Sequence, residues 1–264
     1  MSFEVVAGVD GSAPSEAAAR WAAYDAYRRG VRLRLVAVTR DTRAFGDDVP
    51  LGVPAFVPVL RDRLTDLLPE LAITCEAVPG TPWSVLASAG RRRGLLVLGS
   101  RGPGGLAGPL AGSVALRTAA EAHCPVVLVR PGAEDAEAGR GPIVVGAEAD
   151  RPCGAVLDFA FAEAARCGAG LRVLAARGGG APAQESRLAD VVARRRDRYP
   201  DVLTTIEVSG RPAVSQLVEA SHRAALVVLG RRSPEPSLAA LRLGPVAHGV
   251  IHHAHGPVAI VPGP

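Results

Sequence analysis
The 264-residue chain contains no lysine and no asparagine, so all thirty of its basic residues are arginine. That absence removes several chemistries at once. Without lysine there is no G-K-[ST] phosphate loop, no Schiff base and no S-x-x-K nucleophile. Aromatic residues supply only 4% of the chain against 48% hydrophobic residues, so the core must be built from Val, Leu, Ile and Ala. Such a core suits parallel strands under alanine-rich helices. No run of about 18 apolar residues of the kind that spans a membrane occurs. The four cysteines, Cys75, Cys124, Cys153 and Cys167, show neither C-x-x-C nor metal-ligand spacing. They read as small core residues in a reducing compartment. A strand pattern starts within the first residues with no basic leader before it, and the expectation is a soluble cytoplasmic protein.

The net charge is +4 and the pI about 9.2, but the arginines are dispersed or gathered in triplets, Arg91 to Arg93 and Arg194 to Arg196. A nucleic-acid surface adds a continuous basic stripe and, for single strands, aromatic platforms. Neither is present in the sequence, so the arginines are read as a solvated surface, with no nucleic-acid or membrane partner.

What is present is an internal repeat. Val5-Val6-Ala7-Gly8-Val9-Asp10-Gly11-Ser12 returns as Ile143-Val144-Val145-Gly146-Ala147-Glu148-Ala149-Asp150, and Gly30 to Ala37 as Gly168 to Ala175. Pro79-Gly80-Thr81-Pro82 matches Ser209-Gly210-Arg211-Pro212, Leu95 to Gly99 matches Leu226 to Gly230, and His123-Cys124-Pro125-Val126 matches His255-Gly256-Pro257-Val258. Five matches in one order indicate a tandem duplication. Residues 132–141, rich in Gly, Glu and Asp, read as a linker between a first domain at 1–131 and a second at 142–264.

In the first copy, β-rich runs near 4–9, 32–38, 71–78, 95–98 and 125–129 alternate with helical patterns, the later ones over 55–68, 82–91 and 113–122. Ser12 is the candidate cap of the opening helix, with Pro14 inside its first turn. Strand and helix alternating in this way predict an α/β fold: right-handed crossovers and a parallel sheet covered on both faces. Ligands of such sheets bind at the carboxyl ends of the strands, where the strand order reverses.

At one such strand end lies Gly99-Ser100-Arg101-Gly102-Pro103-Gly104-Gly105-Leu106-Ala107-Gly108-Pro109-Leu110-Ala111-Gly112-Ser113. Glycines here let backbone N–H groups approach an anion, and the helix start near Ser113, with the Ser100 and Ser113 hydroxyls, adds donors and dipole. A phosphate cradle is one reading of the loop; a long Gly/Pro turn is the other.

The spacing of Gly99, Gly102, Gly112 and Ser113 resembles the signature of the universal stress protein family: G, two residues, G, nine residues, G, then S or T. Gly8-Val9-Asp10-Gly11-Ser12, Gly80-x-Pro82 and His123-Cys124-Pro125-Val126 also match that family's pattern, so the resemblance covers the chain as two copies. It implies two Rossmann-like (adenine nucleotide alpha hydrolase-like) domains, each a five-stranded parallel sheet flanked by helices. In the family's ATP-binding branch, it implies ATP held across the strand ends. By position, Gly99, Ser100, Gly102, Gly112 and Ser113 would contact ribose and phosphates, within a loop that includes Arg101, Gly104 and Gly105 and continues to Val114. Gly8, Asp10, Val38 and Val78 would line the adenosine pocket. Asp10 would also reach the ribose or a divalent cation such as Mg2+. Val38 and Val78 read equally well as strand-end core, and Asp10 as a turn cap.

The second copy departs from the signature. Ser233 stands where the second glycine belongs, ten residues separate it from Gly244, Pro245 replaces the Ser or Thr, and Glu148 answers Asp10. Proline removes both a hydroxyl and an N–H. The expectation is ATP in the first domain and weak or no binding in the second, which would serve as the built-in partner of a pseudo-dimer; a homodimer is left open.

Other constellations carry less. His248 and His252 have the i, i+4 spacing of a metal pair, and the His248 to His255 group reads better as a polar helix end. Gly102-x-Gly104-x-x-Ala107 matches the dinucleotide fingerprint but follows the fourth strand rather than the first, which argues against NAD. No G-x-S-x-G or H-E-x-x-H occurs and no catalytic residue is assigned. With no lysine, only Arg101 or a metal could stabilise a departing phosphate in the loop, so slow hydrolysis is the most expected of it. An ATP pyrophosphatase of related fold would need an S-G-G-x-D-S loop after the first strand, which is absent. A non-nucleotide interaction protein remains the other alternative.

Overall fold
The computed structural model describes residues 3–39, 52–90, 94–100, 112–132, 141–148, 154–176, 182–231 and 243–263. The chain divides into two compact units, Met1–Glu134 and Asp135–Pro264.

The first unit alternates strand and helix throughout: β1 (Val5–Val9), α1 (Ala13–Arg29), β2 (Leu33–Thr39), α2 (Phe56–Leu67), β3 (Ile73–Pro79), α3 (Pro82–Ala89), β4 (Leu95–Gly99), α4 (Ser113–Glu121) and β5 (Val126–Val129). Its strands lie in the order β3-β2-β1-β4-β5, all parallel. The order reverses between β1 and β4, which opens a crevice at their carboxyl ends. The strand and helix runs predicted from the sequence coincide with these elements to within two residues.

The second unit repeats the plan with β6 (Ile143–Glu148), α5 (Gly154–Cys167), β7 (Leu171–Ala176), α6 (Pro182–Arg196), β8 (Thr204–Ser209), α7 (Ala213–Ser221), β9 (Leu226–Arg231), α8 (Pro245–His253) and β10 (Val258–Pro262). Its parallel order is β8-β7-β6-β9-β10, so the reversal falls between β6 and β9. The expected α/β architecture of two five-stranded parallel sheets is therefore observed.

The chemistry of the core follows from the missing aromatics. Val5, Val6, Ala7, Leu95, Leu96 and Val97 are wholly inaccessible at the centre of the first sheet, and Ile143, Val144, Val145, Val227 and Val228 take that role in the second. Helix α1 lays Ala18, Ala19, Ala22, Ala23 and Ala26 against its sheet, small side chains that permit close approach. Its ends are marked in the sequence: the Ser12 hydroxyl accepts from the Ser15 N–H at 3.4 Å, and Gly30 closes the helix in the left-handed region at φ 63°. Each unit also buries one acid on its first helix, Asp25 with Arg29 and Glu163 with Arg166. Strand β3 is an edge, so its faces alternate in exposure, and Cys75 on it is half-buried, as is Cys167; of the predicted core thiols only Cys124 is buried among the described residues.

Candidate functional site
The crevice of the first unit is assembled from the ends of β1 and β4 and the start of α4. Ser100 donates its N–H to Val129 O at 2.8 Å, and its own carbonyl accepts from Gly112 N–H at 2.7 Å. Those two bonds bring Gly99, Ser100, Gly112 and Ser113 together although twelve residues lie between the serines. Gly112 occupies the N-cap of α4 with φ −66° and ψ 143°, Ser113 is the first helical residue, and the first helical bond runs from Leu116 N–H to Gly112 O. The opening amides of α4 are thus left for an outside acceptor, at the positive end of the helix.

Ser100 is 3% exposed, and its Oγ is buried without a hydrogen-bond partner among the described residues. An unpaired buried hydroxyl costs on the order of 1–3 kcal/mol, a penalty that a ligand oxygen can relieve. On the β1 side, Asp10 is exposed, and its Oδ1 accepts from Ser12 N–H at 3.0 Å and from Ser12 Oγ at 2.6 Å. Oδ2 has no partner among the described residues. Ser15 Oγ completes the turn by donating to Ser12 O at 2.8 Å. Both readings of Asp10 therefore fit: it orders the turn with one oxygen and presents the other.

Val38 and Val78 face each other in register on β2 and β3, both half-buried, and Val114 is 38% exposed at the start of α4. Arg101, Gly102, Gly104 and Gly105 lie outside the described residues. For two predicted site glycines the structure supplies a reason that the sequence did not. A Cβ on Gly99 would stand 2.6 Å from Pro14 O, and one on Gly8 would stand 2.6 Å from Leu98 Cδ2 and 2.8 Å from Leu86 Cδ2. The α1 backbone excludes a side chain at Gly99, whereas at Gly8 two leucine side-chain ends would have to shift to admit one.

The corresponding crevice of the second unit keeps the packing but loses donors at its helix start. Gly146 repeats Gly8, its Cβ position 2.7 Å from Leu229 Cδ2, and Gly244 caps α8 as Gly112 caps α4. Pro245 takes the first helical position, however, with neither hydroxyl nor N–H to offer. Ser233 lies outside the described residues.

The His248 and His252 rings on α8 are 4.4 Å apart, and the rings of His222, at the end of α7, and His255, just after α8, are stacked at 3.6 Å. His252 and His253 fall in the helix's last turn, where cations suit its negative end. Among the described residues, no group of three or more His, Cys, Asp or Glu could hold a metal, and no helix is long and apolar enough to cross a membrane.

Parallel α/β sheets with a crevice at each order reversal define a doubly wound α/β protein, the class whose ligands bind at that crevice. The universal stress protein family model matches residues 1–130 and again 139–262, and the chain belongs to that family, in its tandem two-domain form. Universal stress protein Rv1996 of Mycobacterium tuberculosis is 30% identical, the match covering 97% of this chain and 94% of the relative. Universal stress protein Rv2005c of the same organism is 31% identical, covering 97% and 96%. In fold, the chain is similar to the crystal structure of a universal stress protein from Archaeoglobus fulgidus, with TM-score 0.70, 16% identity and 98% coverage of both chains.

Proposed function
We propose that the first unit binds ATP across the ends of β1 and β4, and that the protein is a regulatory module of the cytoplasmic stress response rather than an enzyme. The observation that carries this reading is the buried, unpartnered hydroxyl of Ser100, held beside the open amides of α4. In this reading the phosphates meet the Ser100 and Ser113 hydroxyls and the N–H groups of Ser113 and Val114, a set that needs no lysine. Gly99, Gly102, Gly104, Gly105 and Gly112 are the loop's glycines in this reading, and Arg101 the loop cation available to the phosphates. The adenosine lies toward Gly8, Val38 and Val78, and Asp10 Oδ2 meets the ribose or Mg2+. Nothing in the donor set positions an attacking water, so turnover is slow at most. The second unit, with Pro245 in place of a serine, binds nucleotide weakly or not at all.

The test is Gly112→Trp. The backbone at Gly112 suits any residue, so the variant should stay folded by circular dichroism while ATP affinity, measured by titration calorimetry, falls at least a hundredfold. Unchanged affinity would remove ATP from this crevice. A second reading, a non-nucleotide interaction protein of the same fold, draws on Gly8 and Gly99, whose missing side chains the core accounts for without a ligand. It predicts no thermal shift with ATP and magnesium.

A further inference from the structure
The second unit contains a cation-lined cleft at a place whose equivalent within the first unit is occupied by that unit's own side chains. Gly30 and Gly168 both follow their unit's first helix at positive φ, which makes Glu16 and Gly154, each fourteen residues earlier, equivalent positions. Leu68-Pro69-Glu70-Leu71 after α2 likewise matches Tyr199-Pro200-Asp201-Val202 after α6, so Leu64 corresponds to Arg195 and Arg63 to Arg194. In the first unit, Leu64 is 1% exposed and Glu16 lies 3.6 Å from Arg63 across the α1–α2 contact. In the second, an arginine and a glycine stand there. A cleft of about 390 Å3 between α5 and α6 results, lined by Gly154, Asp158, Val191, Arg194, Arg195 and Arg198. None of these belongs to the strand-end positions of the β6–β9 crevice.

The three arginines are not alike. Arg195 is mostly buried, with side-chain exposure 14%: NH1 donates to Val191 O at 2.9 Å and NH2 to Gly154 O at 3.0 Å, while Nε lies 2.8 Å from Asp158 Oδ1 as an ion pair without hydrogen-bond geometry. It braces the cleft, and its charge is balanced by Asp158. Arg194 and Arg198, one helical turn apart at the cleft, form no ion pair with any described residue, although Asp190 and Asp197 lie on the same stretch; Arg198 only approaches the Tyr199 ring, at 5.9 Å. The lining therefore keeps two uncompensated guanidinium groups, whose forked donors match the oxygens of a dianionic phosphate. The volume falls within the range of small-molecule sites.

We propose that this cleft is an anion site that takes a small molecule bearing a phosphate monoester, with Arg194 and Arg198 as its ligands and Arg195 as the brace that positions them. The site is separate from the nucleotide crevice of the first unit. Inorganic phosphate and ribose 5-phosphate, as probes, are titrated into the full-length 15N-labelled protein at constant ionic strength, and the arginine Nε–Hε resonances are followed. Saturable shifts of the Arg194 and Arg198 signals by both probes are expected, with chloride and succinate giving none. The double substitution Arg194→Gln and Arg198→Gln, at exposed positions that leave the Arg195 brace intact, should weaken binding at least tenfold, whereas Gly112→Trp should leave it unchanged. Non-saturable shifts, equal shifts with chloride or succinate, or full affinity in the double variant would overturn the proposal, as would loss of binding in Gly112→Trp.

Discussion
At the residue scale, the glycines of the strand ends separate into two kinds. Gly99 has Pro14 O so close that a methyl group would force α1 off β4. Gly99→Ala is expected to lower stability by about 1–3 kcal/mol, the usual cost of overpacking, read as a fall in the urea midpoint. Gly112 has φ −66° and ψ 143° at a helix cap, a backbone open to any residue, and replacing it is expected to affect ligand more than fold. The motif spacing marked both glycines alike in the sequence. Only the structure tells them apart, because the atom that excludes a side chain at residue 99 belongs to residue 14.

An exposed pair gives a residue-scale test with pH. The hydrogen bond from Arg211, then its charge, holds the Glu219 carboxyl below its ordinary range. A folded-state pKa below the unfolded one contributes stability above the unfolded value, and that contribution is lost as pH falls through the folded value. Arg211→Gln should move the Glu219 titration upward by carboxyl NMR, and its destabilisation relative to wild type should vanish in acid. An unchanged Glu219 titration would show the pair to be open in solution.

At the element scale, α1 carries the most dependents: it covers β1 and β4, supplies Pro14 against Gly99, and begins at the Ser12 turn that orients Asp10. Ser12→Ala deletes the cap and the hydroxyl bond to Asp10 Oδ1 in one change, and leaves the backbone N–H bond to that oxygen in place. A loss of about 1 kcal/mol is expected from the cap alone, with a weaker affinity for ATP and magnesium than the stability loss explains. Affinity equal to wild type would mean that the Ser12 hydroxyl does not position Asp10 for binding. Elements were the most legible feature of the sequence, since periods of two and of three to four residues alternate cleanly along both copies. Less legible was which face each helix buries. In α2, Val57, Leu60 and Leu64 point inward, whereas in α6 Leu188 and Val192 are inaccessible and Arg195 meets the neighbouring helix at the position of Leu64. Three consecutive arginines read as a solvated run in the sequence. Burial of the middle one depends on carbonyls supplied by Gly154 and Val191, and only Val191 is near in sequence.

At the scale of the whole molecule, one domain plan occurs twice with different donors at its strand ends. Gly8 and Gly146 meet the same pair of leucine contacts, and Gly112 and Gly244 cap equivalent helices, so the duplication preserved the packing. Between Ser113 and Pro245 the helix start loses a hydroxyl and an amide together. On the proposed reading of the first crevice, two charge-assisted hydrogen bonds to phosphate, each worth roughly 1.5–3 kcal/mol, are then missing, and every 1.4 kcal/mol is tenfold in affinity. That deficit is enough to leave the second crevice empty at nucleotide concentrations that fill the first. Native mass spectrometry of the intact chain with ATP and magnesium should therefore show one nucleotide per chain, and none for Gly112→Trp over the same range. Two equivalent nucleotides would mean that Pro245 does not disable the second crevice; one nucleotide surviving in Gly112→Trp would move the functional site to the second unit.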